Sequence, residues 1–203
     1  MSHNILLDSL PETVTVDGKE FFIDTDFRTC IIFEKIMSSD MSPKEKVEEA
    51  ICLFFPDEVP SNADGAVNAI MYIYRCGEDE NKMPPSSKYG RKNGSIQLKP
   101  KIICDYEFDA PYVYGAFLSQ YQIDLNSIDY LHWWKFQALF RSLDSRNQIV
   151  EIMRYRAADL GKIKDKNERE RIAHMKQVYA LPRNMSFEDK VAMAGAAFGG
   201  GFA

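Results

Sequence analysis

The sequence contains few of the residues that build metal-binding and catalytic centres. Among 203 residues it has three histidines, His3, His132 and His174, and four cysteines, Cys30, Cys52, Cys76 and Cys104. No histidine pairs with another histidine or a cysteine at metal-ligand spacing, and no two cysteines form a Cys-x-x-Cys pair. The sequence therefore gives no candidate for a metal, a cofactor or a catalytic residue, and it favours a protein that is not an enzyme.

Long apolar runs and an export signal are also missing. No stretch approaches the ~18 apolar residues that a membrane span needs. The first residues lack a basic region followed by an apolar core. The cysteines lie too far apart for the dense disulfide framework of a small secreted domain. We therefore expect a cytoplasmic protein without a membrane partner.

Acidic and basic residues are unevenly distributed along the chain, and no stretch is purely basic. The net charge is −5 and the pI is about 5.3. Residues 1–80 hold 6 basic and 17 acidic side chains, whereas residues 154–176 hold 8 basic and 4 acidic ones. Because acids interrupt the basic stretch, it does not predict a nucleic-acid partner. The asymmetry can steer a protein partner or orient a homo-oligomer, and a solvated helix face explains it as well.

The remaining composition suits a folded core, with 45% hydrophobic and 12% aromatic residues. Val14 and Val16 alternate with threonines before the turn Asp17-Gly18, and this pattern predicts a β-hairpin that returns through residues 21–23. Three helical stripes follow, at Phe27, Ile31, Ile32 and Ile36, at Val47, Ala50, Ile51 and Phe54, and at Val67, Ile70, Met71 and Tyr74. The expected helix caps are Asp24 or Asp26, then Ser42 in a capping box with Glu45, then Asp64.

The second half of the chain contains the strongest helical signals. Asp109 is expected to cap a segment with Val113 to Tyr121, and a second segment runs from Ile128 to Leu143. Both are apolar nearly all round, so we expect two central helices packed as an antiparallel hairpin. Further helices carry Ile149, Ile152 and Met153, and then Ile163, Ile172, Met175 and Tyr179.

These patterns predict a mainly α protein, a helical bundle with a small N-terminal β-hairpin. Residues 1–181 form one domain, with a flexible insert at about 77–101 that is rich in glycine, proline and lysine. Residues 182–203 are expected to form a short helix, capped by Ser186, and a glycine-rich tail.

Three groups of residues resemble parts of chemical sites. Gly90 to Ser95 has glycines and basic residues but lacks the Gly-Lys-Ser/Thr ending of a phosphate loop. His132 is interpreted as a core histidine with one hydrogen bond. Asp105, Glu107 and Asp109 are interpreted as capping and solvated residues. The alternative is an enzyme whose pocket gathers His132 or a cysteine with carboxylates from distant positions.

The C-terminal part is the candidate partner-binding surface. Its apolar side chains lie in a charged helix and in a segment too small and glycine-rich to bury them itself. These residues either dock on the domain or await a partner. The candidates are Met175, Tyr179, Phe187, Val191, Phe198 and Phe202.

Two groups of motifs resemble a small protein family of long-tailed bacteriophages and prophages of Gram-positive bacteria. The first group is Leu10-Pro11, residues 16–19 and residues 24–28 (Asp-Thr-Asp-Phe-Arg). The second is residues 121–125 (Tyr-Gln-Ile-Asp-Leu) and residues 131–136 (Leu-His-Trp-Trp-Lys-Phe). Arg154 to Arg156 and the charged helix that ends at Leu181-Pro182 extend the resemblance.

The resemblance implies a tail assembly chaperone encoded between the major tail protein and the tape-measure protein. Such a protein coats the helical tape measure in the host bacterial cytoplasm, helps to recruit the major tail protein, and leaves before the virion is complete. The resemblance transfers no catalytic residues, and it suggests a folding role for Phe27, Trp133 and Trp134. The alternative within the same context is a structural tail component that stays in the virion.

Overall fold

The computed structural model describes residues 4–78 and 102–181. In chain order the elements are β1 (Thr13–Val16), β2 (Lys19–Phe22), α1 (Phe27–Ser38), α2 (Pro43–Phe54), α3 (Ala63–Tyr74), α4 (Ala110–Tyr121), α5 (Trp133–Arg141), α6 (Gln148–Ala157), a 3-10 turn (Leu160–Lys162) and α7 (Lys166–Val178). The prediction of a mainly α fold with an N-terminal hairpin is confirmed. Most of the insert predicted at 77–101 and all of the tail predicted at 182–203 lie outside the described residues.

The hairpin has the predicted two-residue turn. Asp17 (φ 50°) and Gly18 (φ 80°) both have positive φ, which gives the type I′ turn that matches the twist of the strands. Val16 opposes Lys19 in the antiparallel register. The ribbon lies on α3, where a β-carbon added to Gly65 would be 2.7 Å from Val16 Cγ1. Since a two-stranded ribbon is marginal alone, this contact stabilises it.

The caps of the first three helices follow the prediction at two of three positions. The Asp26 side chain accepts a hydrogen bond from the Arg28 amide, and Ser42 and Glu45 form the capping box. The prediction for α3 was wrong, because Asn62 accepts from the Gly65 amide and Asp64 lies within the first turn.

Two positions predicted to be buried lie on outward faces. Ile32 is 46% exposed on α1 and Val47 is 37% exposed on α2. Each helix turns a narrower apolar stripe towards the core than its sequence suggested, with Cys30 and Phe33 buried on α1 and Ile51 on α2. Apolar residues at the borders of a stripe often remain partly solvated.

The expected hairpin of α4 and α5 is not what forms. Helix α4 packs mainly against α6, whereas α5 packs mainly against α1 and α3. The two helices still touch, since Phe117 stacks on Phe136 and the Tyr121 hydroxyl donates to the Leu139 carbonyl, but these contacts run in the same chain direction on both helices. The segment that joins them is irregular, with a turn at residues 125–127. Its end bridges to the start of α1, between His132 and Asp26, and so directs α5 to that helix. The prediction that α4 is a central helix, buried nearly all round, was also wrong, because Tyr114 and Leu118 are 37% and 40% exposed. Helix α5 begins at Trp133, not at Ile128.

The core is built around a column of aromatic rings. Phe136 is fully buried, and its ring stacks at 5.0 Å on both Phe27 and Phe117 and at 5.5 Å on Trp133. The contacts with Phe27 and Phe117 join α5 to α1 and α4, and the contact with Trp133 lies within α5. Phe27, Trp133 and Trp134 are all buried, as the folding role suggested for them requires.

Helices α6 and α7 form the C-terminal end of the described chain. Ile149 and Ile152 of α6 are fully buried, while Ile172 is the buried residue of α7. Pairs such as Arg171 with Glu168, at 2.8 Å, cover the exposed side of α7. The mixed-sign helix predicted here is therefore present. None of the helices in residues 4–78 and 102–181 combines the length and hydrophobicity that a membrane crossing requires.

Candidate functional site

The two motifs that carry the resemblance meet at the N-terminus of α1. The Asp26 carboxylate accepts a hydrogen bond from the Leu131 amide at 3.0 Å. The Phe27 amide donates to the Leu131 carbonyl at 2.9 Å, and the Trp133 amide donates to the Thr25 carbonyl at 2.7 Å. We call this contact between residues 24–28 and 125–134 the motif junction. It fastens α5 onto α1.

Side chains complete the motif junction. Arg28 donates to the Leu125 carbonyl at 2.9 Å and to the Ile128 carbonyl at 2.7 Å. The hydroxyls of Thr25 and Tyr130 lie 2.6 Å apart. Because backbone carbonyls in an irregular segment need donors, Arg28 holds the segment before α5 in shape. The geometry gives the two motifs a structural role.

His132 is the cap of α5. Its Nδ1 accepts from the Trp134 amide at 3.0 Å, so Nε2 carries the proton and donates to the Pro11 carbonyl at 3.2 Å. The prediction of a buried histidine is confirmed, since it is 2% exposed, but it makes two hydrogen bonds where one was expected. Burial lowers its pKa, so the ring is neutral at pH 7. Both ring nitrogens are already engaged in hydrogen bonds.

An acidic cleft of about 580 Å³ opens beside the motif junction. It is lined by Glu12, Phe22, Asp24, Thr25, Asp26, Arg28, Thr29, Asp129 and Tyr130. Asp24 accepts from the Thr29 hydroxyl at 2.9 Å and from the Asp26 amide at 2.9 Å. The carboxylates of Asp24 and Asp26 therefore already accept hydrogen bonds from groups of the same chain. Neither a histidine nor a cysteine belongs to the lining. The cleft can attract a cationic side chain.

The buried ion pair between Asp109 and Arg156 was not anticipated. Arg156 donates to both Asp109 oxygens at 2.5 and 2.9 Å, and also to the carbonyls of Ile103 at 3.0 Å and Tyr179 at 2.6 Å. Asp109 precedes α4 but makes no side-chain cap, so the capping interpretation was wrong. Its carboxylate is 0% exposed, and a buried charge needs a partner.

A signal for this pair was present in the sequence. Arg156 falls two turns after Ile149 and one turn after Ile152, on the buried face of α6. A charged residue on an apolar stripe indicates a buried partner. Position 109 gives no such signal, because an aspartate before a helix is also the usual cap.

The C-terminal candidates are only partly within the described residues. Met175 is half-buried on α7. Tyr179 stacks on Tyr155 at 6.3 Å and meets the edge of Tyr112 at 6.5 Å, so its ring already contacts the domain. Phe187, Val191, Phe198 and Phe202 lie outside the described residues. The assignment of these six residues to partner binding stays a prediction.

The cysteines are free thiols spread over the described chain. Cys30 is buried within α1, whereas Cys52 is exposed on α2. Burial raises the pKa of Cys30 and Cys104, and it raises that of Cys76 to about 11. In residues 4–78 and 102–181, no cluster of three or more histidine, cysteine and acidic side chains could hold a metal ion.

Comparison with known proteins gives one family. The family described as Bacteriophage Gp15 protein matches residues 6–181 of the chain. The match spans the hairpin, the motif junction, the acidic cleft and the buried ion pair. No curated protein and no solved structure matches the chain.

Proposed function

The chain belongs to the Bacteriophage Gp15 protein family, and on that premise we propose that it is a phage tail assembly chaperone that works without catalysis. In this proposal it serves a long-tailed phage of a Gram-positive host and acts in the host bacterial cytoplasm. It binds the tape-measure protein, with the major tail protein as its second partner. The motifs described above for the phage tail family, which meet in the motif junction, support this assignment.

An exposed apolar pair on α4 supports binding of a helical partner. Tyr114 and Leu118 are 37% and 40% exposed, and residues four apart share one face of a helix. An amphipathic helix can lay its apolar stripe on such a face. Each contact is small, but many copies along one long partner gain strength through avidity. This pair is the observation that supports a surface for the proposed partner.

Co-expression with a fragment of the tape-measure protein tests the proposal. The wild-type chain should keep the fragment soluble and co-purify with it. Leu118→Asp places a charge on the α4 face, so capture of the fragment should fall at least tenfold. Val59→Asp is the matched control, because Val59 is 49% exposed outside the helices and its replacement should leave capture unchanged.

Two results would contradict the proposal. The first is a wild-type chain that neither solubilises nor binds any part of the tape-measure protein. The second is mass spectrometry of purified virions that finds the chain at stoichiometric amounts, which would identify a structural tail component instead.

A further inference from the structure

The outer edge of β1 presents unpaired backbone groups. Hydrogen-bonded pairs alternate along an antiparallel ribbon, and the amide of Ile23 donates to the carbonyl of Glu12 at 3.0 Å. The amides and carbonyls of Thr13 and Thr15 therefore point away from β2. Both residues are exposed, and no hydrogen bond from another described residue reaches these backbone groups. Such an edge can accept another strand.

A groove runs between this edge and α3. Its volume is about 530 Å³, and its α3 side is formed by Gly65, Asn68, Ala69 and Tyr72, which recur on one face of the helix. Ala69 presents only a methyl group to the groove, whereas the space beside Gly65 is already filled by Val16. The charged lining residue is Asp17, and its carboxylate already accepts from the Asn62 amide group at 3.0 Å. The groove thus suits an extended, uncharged segment.

The chain itself contains such a segment. Residues 191–203 include no aspartate, glutamate, lysine or arginine. In an extended strand alternate residues share a side, so Phe198 and Phe202 would face one way and the neighbouring glycines the other. Their two phenyl rings are the apolar side chains that this segment offers to the groove. The acidic cleft offers carboxylates that these residues cannot pair with.

The connectivity favours exchange between two copies. Helix α7 packs on α6 and α6 packs on α4, whereas β1 packs on α3. The described chain therefore ends beside α4, α6 and α7, next to Tyr179, whose carbonyl accepts from Arg156. Nine residues, 182–190, separate the described chain from the uncharged segment, and they span at most about 30 Å.

We propose that residues 191–203 of one copy add as an extended strand to the free edge of β1 in a second copy. Strand addition supplies backbone hydrogen bonds to Thr13 and Thr15, and the groove accepts alternate side chains. The contact joins different surfaces of the two copies, so it is heterologous and builds an open chain of subunits. It requires no other protein, and it is tested on the isolated full-length chain.

Sedimentation of the full chain over a concentration series provides the test. The mass of the wild-type protein should rise with concentration. Thr15→Pro removes the outward amide of β1, and Phe198→Asp places a charge in the incoming segment, so each should weaken self-association at least tenfold. Glu20→Pro is the matched control, because it removes the corresponding outward amide from β2 and should associate like the wild type.

A variant outside the hairpin tests the same contact without the risk that proline unfolds the hairpin. Asn68→Glu puts a charge into the groove from an exposed helix position, and it should also weaken association at least tenfold. Hydrogen exchange at the Thr15 amide should be slow at high concentration and fast after dilution. The proposal is overturned by a wild type that stays monomeric up to about 1 mM, by variants that associate normally, or by protection that does not change on dilution.

Discussion

Two regions of the described chain, the motif junction and the C-terminal end, are held together by different forces. Around the motif junction, α1, α3 and α5 are joined by stacked rings, and the indole groups of Trp133 and Trp134 donate to the carbonyls of Tyr74 and Ile73 at 2.9 and 2.7 Å. At the C-terminal end, α7 contributes a single buried residue, Ile172. There the buried ion pair of Arg156 holds α4, α6 and the residue that follows α7.

This difference determines how each end responds to damage. Apolar contacts are distributed, so the loss of one is shared among many neighbours. A buried ion pair is concentrated, because removing one partner leaves the other charged and desolvated. We therefore expect the stability of the C-terminal end to depend on one side chain, Arg156. Around the motif junction, each single replacement should lower the free energy of unfolding by a smaller amount.

The largest expected effect is at the ion pair. Arg156→Met should lower the free energy of unfolding by about 3–5 kcal/mol, because it leaves the Asp109 carboxylate buried and unpaired. Urea denaturation measures the loss. The double variant Asp109→Leu/Arg156→Met should recover most of it, since no charge is left without a partner. A loss below about 1 kcal/mol for Arg156→Met alone would show that the C-terminal end does not depend on this ion pair.

The motif junction should respond less strongly. Asp26→Ala removes the cap of α1 and leaves the Leu131 amide without its acceptor, so we expect a loss of about 2 kcal/mol. The control is Asp129→Ala, an exposed carboxylate of the same acidic cleft, which should change stability by less than about 0.5 kcal/mol. Equal effects of the two replacements in thermal unfolding would show that the motif junction adds no stability.

Two glycines sharpen the comparison with effects of opposite sign. Gly77 has φ 73°, and an added β-carbon would lie 2.9 Å from Trp134 Cη2. Gly77→Ala should therefore lower the free energy of unfolding by about 1–2 kcal/mol. Gly115 lies within α4 with nothing near an added β-carbon. Gly115→Ala should stabilise by about 0.5–1 kcal/mol. Calorimetry should therefore show shifts in opposite directions.

The smallest effect concerns pH. Burial lowers the pKa of His132 below its ordinary value, so the folded state takes up a proton less readily than the unfolded state. Stability should be full above about pH 6.5 and fall as the pH is lowered through the folded-state pKa. His132→Asn keeps a capping oxygen but does not titrate, so the drop in melting temperature between pH 7 and pH 5 should be smaller.

Glu34 provides the internal control for this measurement. Burial raises its pKa, so its contribution has the opposite slope: it is present at low pH and is lost as the pH rises through the folded-state pKa. Wild type and His132→Asn share this contribution, and it cancels in their difference. Identical pH profiles for the two proteins would show that His132 carries no proton-linked stability.

The sequence predicted those features that depend on neighbouring residues. The hairpin turn follows from Asp17-Gly18, and the capping box follows from Ser42 and Glu45, because each involves residues at most three positions apart. The burial of Trp133 and Trp134 follows from their apolar size. These features together are enough to indicate a helical bundle with a small β-hairpin.

The features that join distant segments could not be predicted in this way. The acceptor of the Leu131 amide lies 105 residues away at Asp26, and Asp109 lies 47 residues from Arg156. No periodicity records such pairings. The error about α4 and α5 has the same origin, since the course of the connecting segment depends on its bonds to α1. The acidic cleft and the groove beside β1 arise from that packing.

The motif junction also restricts which lengths of chain this architecture tolerates. Inserting one residue between Ile128 and Leu131 would displace the Leu131 amide by about 3.3 Å and remove it from the carboxylate of Asp26. A lengthened loop that leaves both segments intact would spare this contact. Among kindred sequences, therefore, additions and deletions should avoid the stretch before α5, and residues 26 and 131 should keep their separation from the elements that present them.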